Sequence, residues 1–194
     1  VTDAQVCENE TGVTYTLANT YASYVWTITG GNIASGGTTS DNTVNIDWGT
    51  NGSGSVAVTV TDANGCSTMI AETVTINANP TPNFSVTDTQ VCENETGVTY
   101  TLANTYASYT WTITGGTVAS GGTTSDNTVN VDWGTNGSGT VAVTVTDANN
   151  CNATVSETVT INANPTPNFS VTDTQVCENE TGVTYTLANT YASY

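Results

Sequence analysis

Five cysteines and 17 carboxylates carry most of the chemistry open to this 194-residue chain, because it contains no Lys, no Arg and no His. Cys7 and Cys66 stand at the same separation as Cys92 and Cys151, and the matching partner of Cys177 would fall beyond Tyr194. The spacing predicts one bridge inside each of two domains, Cys7 to Cys66 and Cys92 to Cys151, with the partner of Cys177 outside the window. A loop of about 60 residues closed this way would contribute roughly 4 kcal/mol in the chain-entropy model. Structural disulfides of this kind imply export to an oxidising compartment. The alternative is buried reduced cysteines. Zinc is a poorer reading, since there is no CxxC pair and no His.

Among the carboxylates, Glu8 and Glu10 flank an asparagine in Cys-Glu-Asn-Glu, while Asp41 and Asp62 sit in turns. Oxygen-rich turns can hold Ca²⁺, but no EF-hand spacing is present. These four are weak candidates whose ordinary role is that of solvated turn carboxylates, so no metal and no cofactor is expected. A carboxylate pair could hydrolyse a glycoside, yet every copy of a small domain with no visible cleft would then have to carry the site. Catalysis by His, a Lys Schiff base or an Arg clamp is excluded by composition. We therefore expect no enzyme. Nucleic acid is excluded as a partner because nothing can neutralise its phosphates, and attraction to anionic membranes for the same reason. Direct membrane insertion is not expected, since no apolar run is long enough to span a bilayer. Asn9-Glu10-Thr11 and Asn51-Gly52-Ser53 match the N-glycosylation pattern, as a chain this rich in Asn and Thr will do by composition.

The elements that must position these groups are strands. Tyr24, Trp26 and Ile28 alternate with Val25, Thr27 and Thr29 before Gly30-Gly31, which predicts a strand over about 23–29, read here as a central one. Alternation also predicts strands at residues 1–6, at Val13 to Leu17, around Ile33-Ala34, at Val44 to Trp48, at Val56 to Val60, and from Cys66 through Val74 to Ile76. Turns such as Asp62-Ala63-Asn64-Gly65 separate them. Seven strands without a helical period read as a sandwich. Its core would include Tyr15, Leu17, Tyr24, Trp26, Ile28, Val44, Ile46, Trp48, Val56, Val58, Val60 and Ile76, with Tyr109, Trp111 and Trp133 as the matching aromatics further on. Tyr21 is the aromatic best placed to lie exposed and stack on a sugar.

The whole pattern is repeated along the chain. Val1-Thr2-Asp3 returns at Val86-Thr87-Asp88 and at Val171-Thr172-Asp173, and the first two copies differ at 12 positions, five of them in the run 67–71. A period of about 85 residues suits a whole domain rather than a solenoid unit of about 20–50 residues. We read repeats at 1–79 and 80–164 and the opening part of a third at 165–194, strung as beads through the stiff linker Asn77-Ala78-Asn79-Pro80-Thr81-Pro82-Asn83. The fragment should not bury a core alone. With no signal-peptide pattern at Val1, we expect a window from a larger or processed chain.

These features resemble the PKD-like, immunoglobulin-like repeats of Bacteroidetes surface proteins. The resemblance rests on Val6-Cys7, Tyr15, Tyr24-Val25-Trp26-Thr27-Ile28-Thr29-Gly30-Gly31, Val44-Asn45-Ile46-Asp47-Trp48-Gly49 and Val58-Thr59-Val60-Thr61-Asp62-Ala63-Asn64-Gly65-Cys66. It implies an all-β fold of tandem immunoglobulin-like (PKD-like) β-sandwich domains, each of about 85 residues, an ordinary size for a small domain. The Trp48-Gly49 pair differs from the aromatic-Gly-Asp-Gly turn of ordinary PKD domains, so their ligand properties do not carry over. Near-identical acidic copies are further similar to the giant mobile surface adhesins of gliding flavobacteria. That similarity implies type IX secretion, the gliding or secretion machinery of the cell surface as a partner, and an external surface or polysaccharide met through a tip outside this window. The expected role is an extracellular, force-transmitting spacer whose immediate partners are neighbouring repeats. The alternative is a weak multivalent carbohydrate- or calcium-binding module. Seven carboxylates per repeat and no cation make neighbouring domains repel within a Debye length of about 8–10 Å, which favours an extended array.

Overall fold

A computed structural model describes residues 4–192 of the chain. Repeat 1 holds seven strands: β1 (Gln5–Cys7), β2 (Val13–Thr16), β3 (Ser23–Thr29), β4 (Gly31–Gly36), β5 (Thr43–Trp48), β6 (Gly52–Thr61) and β7 (Ser67–Asn77). The predicted first strand is seen only as β1; Val1, Thr2 and Asp3 lie outside the described residues. One sheet runs β1-β7-β6-β3 and the other β2-β5-β4. They pack face to face, because alternate residues of each strand point inward. Val6, Val56, Val74 and Ile76 of the first sheet meet Val13, Tyr15, Val44, Ile46 and Trp48 of the second. A smaller cluster of Tyr24, Val58 and Val60 lies at one end.

Repeat 2 follows this plan and opens on a strand whose counterpart positions in repeat 1 are not among the described residues. It comprises β8 (Phe84–Val86), β9 (Gln90–Cys92), β10 (Val98–Leu102), β11 (Ser108–Thr114), β12 (Gly116–Gly121), β13 (Thr128–Trp133), β14 (Gly137–Thr146) and β15 (Asn152–Asn162). Strand β8 pairs antiparallel with β10, so Phe84 enters the sandwich directly after the linker prolines. The third copy forms only a two-stranded sheet of β16 (Phe169–Val171) and β17 (Thr186–Leu187), with Phe169 55% exposed.

The tryptophan strand departs from expectation. Strand β3 spans 23–29 as expected, but it pairs only with β6 and is therefore an edge strand rather than a central one. Trp26 is accordingly only partly buried, and its indole N–H donates to the Asp41 carbonyl at 3.0 Å. Trp48 is the more central tryptophan. It ends β5, the middle strand of its sheet, and is 3% exposed. Gly54 makes room for it: a Cβ at Gly54 would lie 2.5 Å from Trp48 Cζ3 and 2.7 Å from the Thr29 carbonyl oxygen.

Two ladders fix where the cysteines lie. Strand β1 runs parallel to β7 with Cys7 beside Asn77, the last residue of β7. Cys66 immediately precedes Ser67, the first residue of β7. A strand of that length, at about 3.3 Å per residue, separates the two by roughly 35 Å. A disulfide needs Cα atoms about 4.4–6.8 Å apart. Repeat 2 has the same layout, with Cys92 beside Asn162 and Cys151 preceding Asn152. The intra-domain bridges expected from the cysteine spacing are therefore replaced. Cys7 is bonded to Cys151 of the next repeat, with Cα atoms 5.5 Å apart and a sequence separation of 144. Cys66, Cys92 and Cys177 are unpaired and exposed.

Candidate functional site

The place where chemistry has joined two domains is the junction between repeats 1 and 2. Its two halves come from different elements. Cys7 ends β1 at the linker end of repeat 1, and Cys151 ends the β14–β15 turn at the facing end of repeat 2. Because each domain carries the two cysteine types at opposite ends, end-to-end stacking brings unlike types together. Cys151 is fully buried in the junction.

The carboxylates considered for calcium are the groups that shape the chain around these cysteines. The Cys7 N–H donates to Glu10 Oε2 at 2.8 Å. Asp62 Oδ1 accepts from the Asn64 and Cys66 N–H groups, both at 2.8 Å. The equivalent Asp147 Oδ1 accepts from Asn149 at 2.8 Å and from Cys151 at 2.9 Å. Those turns also need a left-handed residue before the cysteine. Gly65 supplies it in repeat 1 with φ +82° and Asn150 in repeat 2 with φ +65°. Gly and Asn are the residue types that reach this region at least cost.

Glu8 ties the linker down. Its Oε1 accepts from the Asn79 N–H at 3.0 Å and its Oε2 from the Asn51 N–H at 3.4 Å, while the Asn79 amide donates to the Glu8 carbonyl at 3.1 Å. Glu93 holds Asn164 and Asn136 in the same way. Asp41 binds the Thr38 hydroxyl at 2.6 Å and the Thr38 N–H at 3.0 Å. The hydroxyl contact first and the N–H second hold its carboxyl below the usual range, and the matching Thr123 contacts do the same for Asp126. Asp62 is lowered too, chiefly by the Cys66 N–H. Backbone donors thus engage Glu8, Glu10, Asp41 and Asp62. No cluster of three or more metal-ligating side chains occurs among the described residues.

The aromatic residues named from the sequence are structural in placement. Tyr24 and Tyr109 are 3% and 4% exposed, and their hydroxyls accept from the Tyr21 and Tyr106 N–H groups at 2.7 Å. Trp133 is buried like Trp48, and Trp111 is partly buried like Trp26. Tyr21 is 38% exposed and packs edge-on to Tyr24 rather than standing free. Repeat 1 carries an apolar hollow lined by Tyr15, Leu17, Trp26, Val56, Val58 and Ile70, a lining that would suit a ligand. In repeat 2 the matching surface carries Phe84, which packs against Tyr100 and Trp111. The hollow therefore corresponds to the seat that Phe84 fills in repeat 2.

The junction escapes sequence reasoning because a tandem repeat defines cysteine spacing only modulo its period. The separation across the bridge is the within-repeat spacing plus one period, so Cys7–Cys66 and Cys7–Cys151 are the same pattern read within or across copies. The signal that separates them is strand direction. A final strand that starts at Cys66 and ends at the linker must put Cys66 at the domain end away from that linker.

Among solved structures, the chain is similar to several proteins. They include SGBP-B of the Bacteroides ovatus mixed-linkage glucan utilization locus, in complex with a mixed-linkage heptasaccharide (17% identity, 82% of this chain, TM-score 0.31). Others are the fibronectin(III)-like modules of Clostridium thermocellum CbhA (12% identity, 83% of this chain and 90% of that one, TM-score 0.41) and the D00-D0 domain of intimin (15% identity, 82% and 96%, TM-score 0.35). The chain spans 42% of the length of the SGBP-B structure. No curated protein sequence matches it. A family model for the PKD-like domain matches residues 1–76 and again 78–161, the two sandwiches joined by the Cys7–Cys151 bridge. The chain belongs to the PKD-like domain family.

Proposed function

We propose that this chain is a spacer segment of a long extracellular adhesin filament, and that its work is mechanical: reach, stiffness and transmission of force. The observation that carries this reading is the covalent bridge between successive domains. A module that only displayed a binding site would gain nothing from being locked to its neighbour, whereas a shaft under tension would. Disulfide bonding goes with an oxidising compartment, which for a PKD-like repeat means secretion or the cell surface. The proposed divisions are 1–79, 80–164 and 165–194, with the linker prolines opening each new unit. No described helix is long and apolar enough to cross a membrane. The whole filament would resemble the gliding-motility adhesin SprB, exported by type IX secretion and driven by the gliding machinery, with its binding tip elsewhere.

A fluorescent antibody raised to one repeat and applied to living source cells tests this directly. Label that travels along the cell surface supports a motor-driven shaft; label that stays fixed leaves a static stalk and removes the gliding assignment. Calorimetry of the chain against Ca²⁺ and soluble glycans tests the mechanical role itself. Saturable heat at sub-millimolar concentration would replace it with a binding module made avid by number.

A further inference from the structure

We propose that the exposed thiols of Cys66 and Cys92 are open halves of a disulfide ladder, each built to take the unlike cysteine of a further copy of this repeat. Every junction of a longer array would then be covalently closed. The ladder stands independently of adhesion or gliding.

Three observations carry it. First, the bridge that exists runs from the Cys7 type of one repeat to the Cys66 type of the next. Cys92 is the Cys7 type of repeat 2, and it has the same environment: its N–H donates to Glu95 Oε2 at 2.8 Å, as that of Cys7 does to Glu10. Second, Cys66 is presented by the same Asp-anchored turn as Cys151. Third, the surface around Cys66 is the exposed counterpart of one that repeat 2 has covered. Cys151 is 0% exposed, whereas Cys66 is exposed. The occupant that fits is the Cys7 end of another repeat, by continuity with the interface already formed.

The chemistry balances with a small or protein disulfide as oxidant. The thiolate of Cys92 attacks the oxidant, forming a mixed disulfide and releasing one thiol. The incoming Cys66-type thiolate attacks the Cys92 sulfur, closing the protein bridge and releasing the second thiol. Two electrons and two protons pass from the protein pair to the oxidant.

A ladder of this kind overlaps itself, since each bridge spans more than one period. The shortest covalent path crosses from Cys7 to Cys151 and then follows the chain only to Cys177 before crossing again. That stretch is mostly β15 and the proline linker, which are already extended in the fold. The array then has almost no hidden length to release under load.

The test is a count of bridges and thiols in two oxidised proteins, the chain itself and the chain lengthened by one further copy of residues 78–162. Glutathione disulfide serves as oxidant, iodoacetamide caps free thiols, and a Glu-specific protease gives the peptides, as trypsin has no site to cut. The ladder gives one bridge and three thiols in the chain, then two bridges and still three thiols in the longer protein. Two bridges rising to three, with a single thiol throughout, would establish intra-repeat pairing and overturn it. One bridge and five thiols in the longer protein would show that the junction does not propagate, and would overturn it as well. Neither result bears on whether the protein moves on cells.

Discussion

The ring of Phe84 packs at a tilt of 41° against Trp111 with centroids 6.3 Å apart, and it also meets Tyr100 edge-on at 6.3 Å. Phe84 stands two residues after Pro82, so the end of the linker is already core of the next domain. Phe84→Ala should therefore destabilise repeat 2 by about 1.5–3 kcal/mol, the worth of burying one large apolar side chain. Repeat 1, whose Trp26 it does not touch, should keep its stability. Urea unfolding of single-tryptophan versions that report on each repeat would check this. Equal losses in both repeats would mean that the linker is shared rather than owned by repeat 2.

Gly54 and Gly65 should respond unequally to added side chains. At Gly54 a Cβ meets Trp48 and the Thr29 carbonyl, and neither can move without disturbing the core. Gly54→Ala should cost about 1–3 kcal/mol by overpacking, and Gly139→Ala about the same against Trp133. Gly65 has open space around its missing Cβ but a φ of +82°. Gly65→Asn should be close to neutral, since Asn150 fills that turn position in repeat 2. Thermal melts of the three variants settle the order.

The strand pattern was legible because burial here follows alternation. Residues 43–48 and 52–61 alternate almost without exception between buried and partly exposed positions. The variable run 67–71 was legible as tolerant, and it lies on the fully exposed opening of β7. Apolar character alone does not report burial. Ile33 and Val118 are 43% and 49% exposed on edge strands, although the swap between them conserves character as well as the fully buried Ile46 and Val131 pair does. Sheet order was not legible, because an edge strand and a central strand share the same period of two. That is why β3 was misplaced. The cysteine pairing was hidden by the repeat itself, and the carboxylate roles by the fact that their partners are backbone N–H groups, which every residue but proline carries.

Acid should loosen the turns that these carboxylates hold. Asp41, Asp62 and Asp126 have folded pKa values below the ordinary 3.8, so each favours the folded state while ionised. The contribution is complete above the unfolded value and is lost as pH falls from about 4 through the folded values. Amide exchange at Thr38, Cys66 and Thr123 should speed up in that window relative to strand interiors. Exchange rates in the turns that merely track those of the strands would contradict this assignment.

At high pH the sign reverses, with Tyr100 as the responsible group. Its hydroxyl donates to the Asp88 carbonyl at 2.7 Å, and burial pushes its pKa up to about 12. A raised acid pKa means that the folded state holds its proton longer than the unfolded chain does. Stability is then intact below about pH 10 and declines between about 10 and 12. The chain has nine tyrosines, so the tyrosinate absorbance of Tyr100 is read as the difference between the parent chain and a Tyr100→Phe variant. Tyr100→Phe should remove part of the alkaline loss while costing some stability at neutral pH.

Force is the last variable, and there the bridge should dominate. Pulled by its two ends, the oxidised chain carries load from Cys7 straight to Cys151, and residues 8–150 lie off the path. Unfolding either sandwich then releases almost no length, whatever its thermodynamic stability. With a reductant present, the 144-residue detour rejoins the load path and adds contour of about 500 Å at full extension. Single-molecule stretching should therefore show long unfolding steps only after reduction, and Cys7→Ser should show them under either condition. Cys66→Ser should behave like the parent chain, because Cys66 takes no part in the bridge. Equal step lengths before and after reduction in the parent chain would mean that the two sandwiches are joined by the linker alone. The case for a load-bearing shaft would go with them.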